Sequence, residues 1–272
     1  MEKWTLSQGG PELEARLARL VAPQNEYGVD PFGLELDFTK AAIAPVLWLY
    51  RSYFRVQTHG IEQVPAGRVM LISNHSGQLP LDAAMIAMSL LVEAEPPRVV
   101  RAMVEKWAPT LPFVAPLFAR IGQVVGTPEN CRRLLAAGET IMVFPEGTRG
   151  LNKTYDKRYR LQEFGTGFMR IALETRTPIL PVAVVGAEEQ APAFFDFKSV
   201  AKVIGFPALP ITPTVVPLPL PVKYHLWFGS PLRFSGSPDD DDAELEPKVS
   251  EVRRAIEALL ERGLASRGSI FR

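Results

Sequence analysis

VMLISNHSGQLPLDAAMIAMSLLVEA, residues 69 to 94, joins a short apolar run to a longer helical pattern through a polar loop. A short apolar run that ends at turn residues indicates a buried β-strand, and the pattern that begins at Asp82 predicts an α-helix. The same alternation continues along the chain. Further strands are predicted at 98 to 104, 140 to 144, 179 to 185 and 223 to 229, and further helices at 128 to 138 and from Phe168. This order predicts an α/β fold with a central, mostly parallel sheet flanked by helices.

Three segments fall outside this alternation. Residues 1 to 57 are predicted to form an N-terminal helical leader, so that residues 58 to 272 make up one domain. Residues 187 to 222 are rich in proline, which excludes regular helix and central strand. A C-terminal helix is predicted at about 247 to 263, because one face of it carries Val249, Val252, Ile256, Leu259 and Leu260.

Composition argues against several classes of function. Of 272 residues 47% are hydrophobic, and 30 basic side chains balance 30 acidic ones, so charge gives no reason to expect a nucleic-acid partner. The three histidines and the single Cys131 have no metal-ligand spacing, and the G-x-S-x-G elbow of serine hydrolases is absent from the sequence. No apolar run reaches the roughly 18 residues of a membrane-spanning helix. Because the N-terminus also lacks a secretory signal pattern, a cytoplasmic protein is predicted.

The loop after the first predicted strand carries His75, and Asp82 follows seven positions later. Histidine is the side chain best suited to accept a proton near neutral pH, especially when a carboxylate fixes its tautomer. The loop can bring Asp82 back beside His75, which would make a general base. The alternative is a structural histidine and an aspartate that caps the following helix. Both roles are compatible with one another.

A second candidate site is FPEGTRG, residues 144 to 150, at the end of another predicted strand. A carboxylate, glycines, a hydroxyl and an arginine suit a backbone-lined site for an anion or a hydroxyl group. The loop that follows is basic and would suit a phosphate-bearing substrate, although such runs are also common on solvated surfaces. Its basic residues are Arg149, Lys153, Lys157, Arg158 and Arg160.

In this order NHSGQLPLD, IGQVVG, FPEGTRG and TPILPVAVVG resemble the motifs of the glycerolipid acyltransferase family, which includes the 1-acylglycerol-3-phosphate acyltransferases. The resemblance runs from about Gly60 to Phe234. It implies transfer of a fatty acyl group from a coenzyme A or carrier-protein thioester to a hydroxyl of a lysophospholipid or related glycerolipid. It also implies a reaction at a membrane surface without a metal or other cofactor.

The resemblance also implies roles for individual residues. His75 would be the general base, and Asp82 would orient its imidazole. Glu146 and Arg149 would position the acceptor, and the glycine and hydroxyl between them, Gly147 and Thr148, would allow close backbone approach and a hydrogen bond. Pro181 would shape the site without taking part in the reaction.

Two departures from the family pattern leave alternatives open. The family spacing is His-x-x-x-x-Asp, whereas two more residues intervene here and Pro80 stands where the aspartate is expected. Family members that act on lysophosphatidic acid carry a basic residue where this chain has Gly126, Thr127 and Pro128. The alternatives are an acyltransferase for a non-phosphorylated acceptor and a catalytically inactive lipid-binding protein on the same fold.

Membrane contact has two candidate segments. FTKAAIAPVLWLYRSYFRV, residues 38 to 56, places Lys40, Arg51 and Arg55 on one helical stripe among aromatic residues, which is typical of a helix at a membrane surface. A core helix that covers the sheet is the alternative. The proline-rich residues 203 to 222 are the second candidate. The apolar residues 111 to 122 are interpreted as core, with an acyl tunnel as the alternative.

Overall fold

The computed structural model describes residues 2–20, 22, 24–75, 80–106, 110, 114–147, 150, 153, 155–192, 195–196, 210–211 and 219–271. Thr148 and Arg149, two of the predicted substrate-binding residues, lie outside the described residues. Most of the proline-rich segment 203 to 222 and residues 111 to 113 of the predicted core or tunnel segment lie outside them as well.

A large β-sheet forms the centre of the molecule. Strands β1 to β9 span Gln57–His59, Val69–Ser73, Val100–Val104, Val124–Val125, Thr140–Val143, Ile179–Val185, Phe195–Asp196, Pro210–Ile211 and His225–Phe228. Among the described residues seven strands form one sheet in the order β1-β9-β6-β2-β5-β3-β4, and β7 pairs with β8. Neighbours in the large sheet are parallel except β6 and β9, so β1 and β9 run opposite to the other five strands.

Helices connect the strands and cover both faces of the sheet. Helices α1 to α8 span Glu2–Ala18, Leu36–Trp48, Leu81–Val92, Val114–Arg120, Pro128–Ala136, Gly167–Thr175, Ala187–Gln190 and Asp242–Ser266. A π-helical turn, Leu49–Tyr53, extends α2, and short 3₁₀ turns occur at Ile61–Gln63 and Tyr155–Lys157. Helix α1 is kinked at Gly10, whose φ of 61° and ψ of −169° are not helical.

The predicted α/β fold with a mostly parallel sheet is confirmed. Each of the five predicted strands occurs, with ends that differ by at most two residues. The C-terminal helix α8 begins earlier than predicted because Asp241 caps it and accepts a hydrogen bond from the Glu244 amide at 2.9 Å. Strands β1, β4, β7 and β8 were not predicted, since two or three residues are too few to show a periodic pattern. The exclusion of helix from residues 187 to 222 is wrong at their start, where the one-turn helix α7 precedes the first proline of the segment.

Each face of the sheet packs against its own hydrophobic core. Val69 and Leu71 of β2 lie in the core shared with α1 to α3, whereas Met70 and Ile72 lie in the core shared with α5, α6 and α8. All four side chains are completely buried. Because successive side chains of a strand point to opposite faces, β2 needs apolar residues at every position. This burial explains why VMLIS reads as a continuous apolar run.

The predicted leader is part of the first of these cores. Leu36, Leu47 and Tyr50 are buried in the same cluster as the strand residues. The loop between α1 and α2 is also joined to the sheet, because the buried Arg101 of β3 donates to Asp30 at 2.5 Å. Helix α2 therefore covers the sheet. The boundary between leader and domain at residue 57 stays a prediction.

Among the residues that the structure describes, no helix combines the length and the apolarity needed to cross a bilayer.

Candidate active site

The two sequence motifs meet at the carboxyl ends of two central strands of the sheet. Strands β2 and β5 are parallel neighbours, and Ile72 pairs with Val143 near their carboxyl ends. His75 lies two residues beyond β2, and Glu146 lies three residues beyond β5. In parallel α/β sheets, ligand sites form in the loops at this end of the strands. The motif residues that the structure describes therefore meet where the topology favours a site.

His75 and Asp82 are in direct contact. The Nδ1 atom of His75 lies 2.7 Å from Oδ2 of Asp82, and the exposed fractions of the two side chains are 11% and 0%. The imidazole also stacks on the ring of Phe144 with a centroid distance of 4.1 Å. A proton on Nδ1 that is donated to Asp82 leaves Nε2 as the basic nitrogen of the imidazole.

Despite the longer spacing, Asp82 lies at the start of α3, where it reaches His75. Asp82 is the second residue of this helix, so it lies in the first turn, where the helix dipole favours a negative charge. The N-cap position belongs to Pro80, which makes no side-chain cap. The alternative that Asp82 is the capping residue is therefore wrong, although its Oδ1 accepts a hydrogen bond from the neighbouring Ala83 amide at 2.7 Å.

Asn74 attaches the His75 loop to the sheet. Its side-chain amide donates to the Val184 carbonyl at 3.1 Å, and its carbonyl accepts from the Val184 amide at 2.8 Å. Both groups of the Asn74 side chain are thus paired with one residue of strand β6, and the side chain is fully buried. No role was predicted for Asn74 from the sequence. A polar residue directly after a buried strand was the available signal.

Glu146 is buried behind the His75 loop. Its Oε1 accepts a hydrogen bond from the His75 backbone amide at 3.0 Å, and its Oε2 accepts one from the Gln162 amide at 2.8 Å. The residue is only 1% exposed. Both oxygens are therefore occupied by protein donors, and Glu146 holds the backbone of His75 in place. The contact with the acceptor that the resemblance implies for Glu146 stays a prediction.

The glycines of FPEGTRG allow the two loops to approach one another. Gly147 has φ 56°, in the left-handed region that favours glycine. A Cβ atom on Gly150 would lie 3.0 Å from the Cβ atoms of both His75 and Glu146. Gly150 thus packs closely against the His75 loop. The sequence around Gly150 did not predict this contact.

Gly150→Ala is expected to lower turnover about tenfold while the protein stays folded, because the added methyl group pushes His75 by a few tenths of an ångström and catalysis is sensitive to such shifts. The measurement is kcat of the purified variant. Gly67→Ala is the matched control, since a Cβ atom there meets nothing within 4 Å. Equal kcat values for Gly150→Ala and Gly67→Ala would contradict the expectation.

The basic loop divides into buried and exposed residues. Lys153 is buried, and its Nζ lies 3.2 Å from Glu146 Oε2 and 3.1 Å from Glu188 Oε1. Lys157, Arg158 and Arg160 are exposed. The exposed residues face solvent, whereas the Lys153 ammonium is engaged inside the protein.

No cluster of three or more His, Cys, Asp or Glu side chains able to hold a metal ion occurs among the described residues. Cys131 is buried, and burial raises the pKa of its thiol to about 11. A protonated thiol is a poor nucleophile, so Cys131 is not suited to form an acyl-enzyme. Within the described part of the chain, His75 and Asp82 therefore form a pair that is suited to general acid–base catalysis.

Comparison with known proteins agrees with the fold and with the family that the motifs predict. A family model described as Acyltransferase matches residues 55–185, which include both motifs. An uncharacterized protein of Mycobacterium leprae is 38% identical over 259 residues, which cover 90% of this chain and 70% of that protein. A probable 1-acyl-sn-glycerol-3-phosphate acyltransferase of Mycoplasma genitalium is 28% identical over 180 residues, covering 63% of this chain and 64% of that protein.

A solved structure has the same fold. The crystal structure of the 1-acyl-sn-glycerophosphate acyltransferase PlsC from Thermotoga maritima matches with a TM-score of 0.54 and 20% identity, covering 86% of this chain and 79% of that one. Fold and motifs together are those of an enzyme that transfers acyl groups. The chain belongs to the glycerolipid acyltransferase family, as its motifs predict, and it is an O-acyltransferase.

Proposed function

We propose that the protein transfers a fatty acyl group from a coenzyme A or carrier-protein thioester to a hydroxyl of a lysophospholipid or related glycerolipid. The observation that carries this proposal is the 2.7 Å contact between His75 Nδ1 and Asp82 Oδ2, with His75 partly accessible and Asp82 fully buried. A buried carboxylate on one imidazole nitrogen prepares the other nitrogen to accept a proton.

In this mechanism His75 Nε2 removes the proton from the acceptor hydroxyl as the oxygen attacks the thioester carbonyl. A carbon–oxygen bond forms, and the carbonyl electrons move onto oxygen to give a tetrahedral intermediate. When this intermediate collapses, the carbon–sulfur bond breaks and the leaving sulfur takes the proton from the His75 imidazolium. Asp82 remains ionised and stabilises the imidazolium. No metal or other cofactor is needed in this sequence of steps.

The acceptor is proposed to lie near the exposed part of the basic loop. Lys157, Arg158 and Arg160 face solvent, where they can bind a lipid phosphate. In contrast, Gly126, Thr127 and Pro128 stand where family members that act on lysophosphatidic acid carry a basic residue. Thr127 instead caps helix α5, because its hydroxyl accepts a hydrogen bond from the Asn130 amide at 3.2 Å. This region favours a non-phosphorylated acceptor as the second candidate. Arg149 is the further residue proposed to contact the acceptor.

The test is release of free thiol from acyl-coenzyme A and from acyl carrier protein, each with a panel of acceptors. The panel contains lysophosphatidic acid, other lysophospholipids, monoacylglycerol and diacylglycerol. Thiol release that requires one of these acceptors, together with formation of the acylated lipid, supports the proposal and identifies the acceptor class. Binding of lipid without thiol release from either donor would instead support a catalytically inactive lipid-binding protein.

We place the reaction at a membrane surface, with Trp48 at the end of α2 as the contact residue. Trp48 is 40% exposed, whereas Ile43, Ala44 and Leu47 of the same helix are buried. The charged stripe predicted beside it is incomplete. Arg55 lies beyond the helix with φ 45° and donates to the Pro221 carbonyl at 2.7 Å. Trp48 thus supports membrane contact better than the predicted stripe of basic residues does.

Trp48→Ser is expected to weaken binding to anionic liposomes about fivefold, because an exposed aromatic ring enters the interface of a bilayer. The measurement is co-sedimentation at several lipid concentrations. Tyr27→Ser is the matched control, since Tyr27 is an exposed aromatic residue outside the helix. Deletion of the leader is less suitable because Leu36 and Leu47 belong to the core. Unchanged binding of Trp48→Ser would remove α2 as the contact.

A further inference from the structure

A buried group of three charged side chains lies behind the His75 loop. Lys153 Nζ is 3.2 Å from Glu146 Oε2 and 3.1 Å from Glu188 Oε1, and the exposed fractions of the Glu146, Lys153 and Glu188 side chains are 0%, 4% and 5%. One ammonium group is therefore paired with two carboxylates in the protein interior. Buried charges persist in proteins when they are paired in this way.

The three side chains join two distant parts of the chain. Glu188 belongs to α7, directly after β6, and its Oε2 accepts a hydrogen bond from the Tyr159 amide at 2.6 Å. Glu146 follows β5 and holds the His75 amide. Lys153 thus connects the end of β6 with the carboxylate that positions the His75 backbone.

The charge balance makes Lys153 important for both carboxylates. The pKa of Glu188 is raised to about 7, chiefly by burial and to a smaller extent by the neighbouring Glu146 carboxylate. The Lys153 ammonium is the largest influence that opposes this rise. Loss of the lysine would remove this opposing charge, so Glu188 would take up a proton and Glu146 would be left without a charged partner in this group.

We propose that Lys153 is a positioning residue for acyl transfer, whose ammonium fixes the Glu146 carboxylate against the His75 backbone amide while Glu188 holds the lysine in place. Its effect on activity rests on the proposed function, but its effect on the position of His75 does not. A basic residue in this loop also suits a substrate phosphate. The burial of Lys153 and its two carboxylate partners argue for the internal role.

The position of His75 can be measured directly by NMR. The chain has three histidines, so full-length protein labelled with ¹⁵N-histidine gives three backbone amide signals, and His75→Ala identifies that of His75. In Lys153→Met, which keeps the length and removes the charge, the His75 signal is expected to move. The signals of His59 and His225, on β1 and β9, are expected to stay. An unmoved His75 signal in the folded variant would overturn the proposal.

A double variant covers the case in which Lys153→Met does not fold. Lys153→Met with Glu188→Gln replaces an ion pair by uncharged side chains of similar size, which proteins tolerate better than a single unpaired charge. Glu146 still lacks its ammonium in this double variant, so the His75 signal is again expected to move. A His75 signal at the wild-type position, with the other two unchanged, would overturn the proposal in this background.

Kinetics separate positioning from substrate binding. Lys153→Met, or the double variant, is expected to lower kcat about tenfold or more and to leave KM for the acceptor unchanged, because Lys153 acts through His75. A raised acceptor KM with an unmoved His75 signal would show a phosphate-binding lysine and overturn the proposal. If wild type and His75→Ala show equal activity, the proposed function fails, and the NMR signals alone decide the role of Lys153.

Discussion

His75→Ala is expected to lower acceptor-dependent acyl transfer by about 10²–10⁴-fold, the usual contribution of a general base. The methyl group of alanine cannot accept the hydroxyl proton, so the acceptor must attack as a neutral alcohol. The measurement is the initial rate of thiol release at a saturating concentration of the acceptor found with wild type. Thermal unfolding of the variant shows whether the fold is retained.

His59→Ala is the matched control for His75→Ala. His59 lies on β1 at the edge of the sheet, where its ring stacks on Trp227 with a centroid distance of 4.1 Å. Its loss is expected to leave the rate of acyl transfer close to that of wild type. Two histidine variants with the same activity would contradict the assignment of His75 as the base.

Asp82→Asn is the second change with a large expected effect, a fall in kcat of about 10²–10⁴-fold. Asparagine has nearly the same shape but no charge, and its amide group can donate to Nδ1. The proton of the neutral imidazole then moves to Nε2, which can no longer accept the hydroxyl proton. The imidazolium also loses the buried negative charge beside it.

Asp37→Asn is the control that separates a loss of catalysis from a loss of helix stability. Asp37 and Asp82 are each the second residue of a helix, α2 and α3 respectively. Asp37→Asn removes a charge from a first turn on the surface and is expected to leave kcat unchanged. If Asp82→Asn were as active as Asp37→Asn, Asp82 would be a helix residue alone and His75 would act without it.

Most of the sheet could be predicted from the sequence because its strands are buried on both faces. VMLIS and ILPVAVV are fully buried at every position, so burial leaves a continuous apolar run that can be recognised. The edge strands β1 and β4 have three and two residues and show no such run. Their position depends on pairing with β9 and β3, which the sequence around them does not record.

The site was predictable only in part, for a similar reason. The contact between His75 and Asp82 is local and spans seven positions, so spacing and chemistry suggested it. The contacts that hold the loop span much longer distances: 71 positions separate His75 from Glu146, and 110 separate Asn74 from Val184. These partners depend on the strand order. Lys153 was therefore grouped with the other cations of a loop suited to a substrate phosphate or to solvent, although its side chain is buried.

The pairing of Asn74 with Val184 has a consequence for the order of events during synthesis. The His75 loop leaves the ribosome 110 residues before its partner on β6, a delay of roughly 5–20 s at ordinary elongation rates. Glu188, the partner of Lys153, emerges later still. The nascent chain carries its reactive histidine well before the strand that fixes the loop exists. Acyl transfer is thus expected to begin only after β6 has been made and inserted into the sheet.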